Sequence, residues 1–181
     1  MAAAKLMTVT LFRREMRQLL RFAFPLFIAQ SAQMGTGVVD TIMAARYGEQ
    51  DLAAISIGIN IWLPVYLLIL GTIFATATIV AQDFGGGRIE KIRQQLPQSL
   101  WVAVFLGLTL SPAIWYAGPI LDLLGLNPIT RQLALDYAQR VALGMPATAI
   151  FQALRYPTQG LGITQPFAFA AVAGFLVNVP L

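Results

Sequence analysis

The sequence predicts an all-α protein, a polytopic bundle of transmembrane helices, and three observations carry that prediction. Hydrophobic residues fill 57% of the 181 positions and charged ones 11%, with a mean hydropathy of +0.70, far from the roughly 25% charged residues of a soluble domain. The apolar residues gather into several separate runs, each near the ~20 residues that a helix needs to cross bilayer hydrocarbon, where a membrane β-strand would instead alternate over ~10. One of these runs, 22–45, carries a carboxylate, Asp40. An ionisable group inside such a run turns toward other helices or water, not toward lipid, and is by default a candidate functional residue.

The chain divides into a basic, amphipathic lead-in over 1–21, suited to a membrane surface, and a transmembrane region over 22–181. Helices are expected at about 22–45, 52–81, 97–117, 132–155 and 166–181. The lead-in holds Lys5, Arg13, Arg14, Arg17 and Arg21, and Ala29-Gln30-Ser31 loosely matches a signal cleavage site. The apolar run resumes to Ala45 and more membrane segments follow, so the first span reads as uncleaved. Within it Gln30, Gln33, Gly37 and Asp40 are spaced three, four and three, with Thr36 one turn before Asp40. That spacing collects them on one helical face.

The link 46–51 is short and polar, which makes the first two helices antiparallel neighbours. In the second, Pro64 lies one turn after Asn60. Proline cannot donate to the carbonyl four residues back, so a helix kink is expected there, either as packing or as a cavity-lining carbonyl. The loop 82–93 contains three consecutive glycines, but no Gly-Lys-Ser/Thr follows them; a flexible turn is expected in place of a phosphate loop. Trp101 near one end of the third helix and Trp115 with Tyr116 near the other fit an interfacial aromatic pattern. Gly118-Pro119 and Asn127-Pro128 read as turns. Asp136 and Arg140, one turn apart, can pair, and Pro146 marks a second expected kink. The fifth run offers only 16 residues, 166–181, short of a full crossing.

Threading these helices alternately across a bilayer puts nine basic residues (Lys5, Arg13, Arg14, Arg17, Arg21, Arg88, Lys91, Arg93, Arg155) on one side and three (Arg46, Arg131, Arg140) on the other. The richer side is expected to be cytoplasmic, N-terminus included. The sequence has neither cysteine nor histidine, which removes disulfides, thiolate and imidazole metal sites and histidine-based catalysis. An enzyme is not expected. Nor is nucleic-acid binding, because the basic residues flank apolar runs and form no single patch.

In order along the chain, Gln33 to Ala44 in the first helix, Leu52-Ala53-Ala54, Ile61-Trp62-Leu63-Pro64, Val80-Ala81-Gln82, Pro146 with Phe151-Gln152-Ala153-Leu154-Arg155, Thr164-Gln165-Pro166 and Asn178-Val179-Pro180-Leu181 resemble the multidrug and toxic compound extrusion transporters, in their bacterial NorM-like branch. The resemblance implies twelve helices in two six-helix lobes. This chain would supply about five helices of the N-terminal lobe, the fifth cut short, with the C-terminal lobe missing as its partner. It implies a bacterial inner-membrane antiporter that exports small cationic amphipathic compounds in exchange for sodium ions or protons, without another cofactor, and a fragment inactive alone. Asp40 is similar to the family's first-helix aspartate, which acts in cation coupling or competes with substrate, and Asn178 to its fifth-helix asparagine. The carboxylates of the C-terminal lobe have no counterpart here.

Depth agrees with that correspondence. At 1.5 Å per residue, Asp40 and Asn178 lie roughly 27 Å and 20 Å from the cytoplasmic ends of their helices. A carboxylate and an amide carbonyl, with Thr36 and Gln33 a turn or two away, are the oxygen ligands a hard cation such as sodium prefers. The candidate cation and substrate site is therefore Asp40, Asn178, Thr36 and Gln33, with Asp40 and Asn178 as the sodium ligands. Two alternatives stay open: a non-transporting membrane subunit or truncated remnant, and a lipid-linked oligosaccharide flippase of related architecture, which would call for a more cationic cavity.

Overall fold

A computed structural model describes residues 2–178, with side chains from residue 12 onward. Met1 and 179–181 lie outside the described residues, and with them the end of the expected fifth helix and the motif residues Val179, Pro180 and Leu181. The described chain is 92% helical and contains no strand, so it is an all-α helical bundle. Its helices are α1 (Ala2–Tyr47), α2 (Glu49–Gly85), α3 (Ile89–Trp115), α4 (Gly118–Leu123), α5 (Pro128–Gly160) and α6 (Gln165–Asn178).

Each helix outruns its apolar stretch wherever no residue stops it. Residues 2–21 contain neither glycine nor proline, and α1 runs unbroken for 46 residues, or about 69 Å at 1.5 Å per residue. The lead-in is thus helical and continuous with the first span. Likewise α3 begins at Ile89 and passes through Pro97, and the loop after Trp115 winds into the short helix α4. Asn127-Pro128 starts a helix: the Asn127 side chain accepts a hydrogen bond from the Ile129 amide at 3.0 Å and Pro128 occupies the first turn. This is the cap that satisfies an orphan donor, with proline where no donor is needed. By length and apolar content, α2 and α3 are the described helices able to cross a membrane, and α6 is a shorter apolar helix.

The chain forms two compact units, Asp40–Leu161 and Met1–Val39 with Gly162–Leu181. In the first, α5 packs against both α2 and α3. Its buried seam is Ala134, Ala138, Ala142, Met145, Ala149 and Ala153, spaced four, four, three, four and four along one helical stripe. Small residues let helix backbones approach closely, which is how helices gain packing energy when lipid is as apolar as they are. Gly107 of α3 and Gly160 of α5 extend the device: a Cβ would sit 2.7 Å from Pro146 Cα at the one and 2.6 Å from the Ala77 carbonyl oxygen at the other. Ile69, Ile73 and Ile114 fill the space between, while Leu121 of α4 joins Ala54 and Ala134 at one end.

The turn from α2 to α3 departs from expectation, because its glycines are braced. The Gly86 amide donates to Gln82 at 3.0 Å, Gly87 to Phe84 at 3.1 Å and Arg88 to Asp83 at 2.8 Å. Gly87, at φ 70°, takes the left-handed conformation that ends helices. Asp136 and Arg140 do not form the expected pair. Asp136 instead accepts from Gln132 Nε2 at 2.8 Å, and the ion pairs among the described residues are Arg88–Asp83, Arg93–Glu90 and Arg131–Asp122. An amide on the preceding turn satisfies the carboxylate without ordering a longer, exposed arginine.

In the other unit, Ala29 and Ala32 of α1 are buried, and Gly35 lies under the Phe175 ring of α6, where a Cβ would fall 2.9 Å from Cε2. The Thr164 hydroxyl donates to the Phe22 carbonyl at 3.3 Å, and Phe167 is buried. Ala29, Ala32 and Gly35 are spaced by three, so a narrow small-residue face of α1 meets its neighbours within this unit.

Candidate functional site

On α1, Gln33 and Asp40 are exposed and Thr36 is half-buried. The Thr36 hydroxyl donates to the Ala32 carbonyl one turn back at 3.2 Å. This bond spends the hydroxyl's proton on the helix, so the oxygen's lone pairs are what it has left to offer a cation. Gly37, which shares the polar face by spacing, has nothing within 4 Å of an added Cβ. Asn178 is half-buried at the end of α6. Gln33, Thr36 and Asn178 belong to one unit and Asp40 opens the other.

Taken singly, these side chains carry the oxygen types that hard cations prefer: one carboxylate, one hydroxyl and two amide carbonyls. Among the described residues no three of the His, Cys, Asp and Glu side chains gather in one place. Pro64 is exposed within α2, and Pro146, half-buried within α5, lies against the close approach at Gly107. Asn60, one turn before Pro64, turns its amide to the Ser56 carbonyl at 2.9 Å.

Two polar clusters lie beyond those the sequence singled out as functional. Asp83 is buried at 5% exposure; one carboxylate oxygen accepts from Arg88 Nε at 2.7 Å and the other from Gln95 Nε2 at 2.9 Å. The only signal in the sequence is a carboxylate at the end of an apolar run, five residues before an arginine. The second cluster lies between α2 and α5. Gln152, 1% exposed, donates from Nε2 to the Tyr66 hydroxyl at 2.7 Å and accepts at Oε1 from Arg155 Nη1 at 3.2 Å. The Arg155 guanidinium also lies 5.4 Å from the Tyr156 ring centre, within cation–π range. The i, i+3 spacing of Gln152 and Arg155 was visible, but Tyr66 lies 86 residues away and no local pattern points to it. Beside this cluster, Trp62, Tyr66, Val141, Gly144, Met145 and Thr148 line a groove of about 400 Å³.

Comparison with known proteins places this architecture. The MatE family pattern matches residues 25–181. The chain is 40% identical over 171 residues to the multidrug resistance protein PmpM of Pseudomonas aeruginosa, covering 93% of this chain and 36% of that protein. It is 38% identical over 168 residues to the multidrug resistance protein MdtK of Klebsiella pneumoniae strain 342, covering 92% and 37%. The chain thus spans little more than a third of the length of these relatives and matches their N-terminal part. On these grounds it is a membrane protein and belongs to the MatE family of multidrug and toxic compound extrusion transporters.

Proposed function

We propose that this chain forms part of a multidrug exporter in which sodium ions or protons entering the cell drive small cationic amphipathic compounds outward across the bacterial inner membrane. The observation that carries the reading is Asp40, a carboxylate at an exposed position of α1, the helix that also holds Gln33 and Thr36. Its relatives' names, multidrug resistance proteins, support the substrate class.

A single carboxylate can be neutralised by a proton, by sodium with oxygen ligands from Thr36 and Asn178, or by a cationic substrate, so the three compete for one charge. Competition becomes antiport when the neutral and charged forms favour different arrangements of the helices, because a ligand shifts a population only through differential affinity. Pro64 and Pro146 are the points at which α2 and α5 flex in this scheme. The N-terminus faces the cytoplasm, where the nine basic residues of the richer side are retained.

The test is accumulation of a cationic dye in inverted membrane vesicles, with sodium and proton gradients imposed separately. Accumulation under one or both gradients supports the scheme. Dye movement indifferent to either gradient contradicts it. Asn178→Ala is expected to weaken ion dependence more than protein level, and unchanged ion dependence would remove Asn178 from the site.

A further inference from the structure

Where the arginine-rich part of α1 gives way to its apolar stretch, the structure has a pocket of about 440 Å³. Gln18, Arg21 and Phe22 of α1 form one wall, and Gly162, Ile163, Thr164 and Gln165, at the turn into α6, form the other. The walls are tied together by the bond from the Thr164 hydroxyl to the Phe22 carbonyl at 3.3 Å, and Thr164 itself is buried. Gly162 holds φ 78°, a conformation that suits glycine, so the turn that shapes the far wall is specified by sequence.

The chemistry of the lining is one-signed. Arg21 supplies a guanidinium, Gln18 and Gln165 supply amide donors, and among the described residues no acidic one lines the pocket. Arg21 is exposed and enters none of the ion pairs among the described residues. The same lining includes Phe22 and the exposed Ile163, which an inorganic anion has no use for. The volume also falls in the roughly 300–1,000 Å³ range of sites for molecules larger than single ions. Arg13, Arg14 and Arg17 precede Arg21, with exposed Phe12, Leu19, Leu20 and Phe24 interleaved. That pattern is the one by which a helix meets the headgroup layer of an anionic membrane.

We propose that this pocket seats the headgroup of an anionic phospholipid, the phosphate at Arg21 with Gln18 and Gln165 as donors, and the start of the acyl chains against Phe22 and Ile163. Guanidinium is suited to this because its fork matches phosphate geometry. The bound lipid bridges α1 and the start of α6, fixing the depth at which the first helix enters the bilayer. The inference rests on the chain's being a membrane protein and not on its coupling ion or substrate.

The experiment measures retention of long-chain phosphatidylglycerol by the full chain in mild detergent, using native mass spectrometry. Arg21→Gln should lower the affinity about fivefold or more, the scale expected for one arginine near an anionic headgroup. Arg14→Gln, an equal loss of charge away from the pocket, should change it far less. The double variant Gln18→Ala with Gln165→Ala keeps the net charge and should still weaken retention severalfold; it decides the matter if Arg21→Gln does not fold. Equal effects of Arg14→Gln and Arg21→Gln, or no effect of the double variant, would overturn the proposal. So would equal retention of phosphatidylcholine, or displacement of the lipid by an equal concentration of inorganic phosphate.

Discussion

Arg88 Nε lies 2.7 Å from Asp83 Oδ1 across the turn that joins α2 to α3, on a carboxylate that is almost wholly buried. The same carboxylate accepts from Gln95 on the next helix at 2.9 Å, so one side chain ties the end of α2, the turn and the first turns of α3. Truncating it strands two donors. Because Arg88 is half exposed, water compensates part of the loss, and Asp83→Ala is expected to cost about 1–3 kcal/mol. Thermal unfolding of the chain in detergent would show a lowered Tm, and an unchanged Tm would mean the brace is dispensable.

The close helix contacts make a second prediction. At Gly107 and Gly160 an added methyl meets backbone atoms at 2.7 Å and 2.6 Å, and backbone cannot swing aside as a side chain can. Gly107→Ala and Gly160→Ala should each destabilise by about 1–3 kcal/mol, the usual cost of overpacking. Gly37→Ala, with nothing within 4 Å, should leave the Tm unchanged or slightly raised.

Gln152 and Tyr66 are a buried donor and acceptor 2.7 Å apart. Tyr66→Phe removes the hydroxyl and leaves the amide N–H unmatched in a site that is 1% exposed at Gln152, a change worth about 1–3 kcal/mol. Combining it with Gln152→Leu, which also deprives Arg155 of its acceptor, should cost less than the two single changes added together, since the bond between Tyr66 and Gln152 can be lost only once. A double variant whose cost equals the sum of the two singles would refute the coupling.

The turn through α4 contributes a pH dependence. The Arg131 hydrogen bond holds the Asp122 carboxyl below its ordinary 3.8, and Asp122 in turn raises the Arg131 guanidinium above its already high ordinary value. A carboxyl depressed in the folded state stabilises at pH above about 3.8, and the gain is lost as pH falls through the lower folded value. The arginine is charged throughout this range, so its own contribution does not change there. The unfolding curves of wild type and Asp122→Asn should differ slightly at neutral pH and converge in acid; curves that stay parallel through acid would show that the pair contributes nothing.

How far the sequence reveals this molecule can be judged residue by residue. Helical class and membrane character followed from composition, because bilayer thickness imposes a length on apolar runs that few other structures share. Helix ends did not: Pro97 was expected to start a helix and lies inside α3, and the run 2–21, without glycine or proline, continues the first helix. Hydropathy marks where lipid stops, whereas hydrogen bonding decides where a helix stops. The polar face of α1 was legible from spacing alone. Asp83 and Gln152 were not, because their partners are set by a turn geometry and by a helix 86 residues distant. Asp136 shows the converse: a plausible pair at helical spacing gave way to a nearer amide at Gln132.

In the proposed scheme the charge on Asp40 couples ion entry to drug export. This coupling is tested most directly by gradient-driven accumulation of a cationic dye in inverted vesicles, comparing wild type with Asp40→Asn expressed from the native gene at equal protein level. Asp40→Asn is expected to abolish accumulation under both sodium and proton gradients while the protein remains in the membrane. Wild-type accumulation by Asp40→Asn would contradict it.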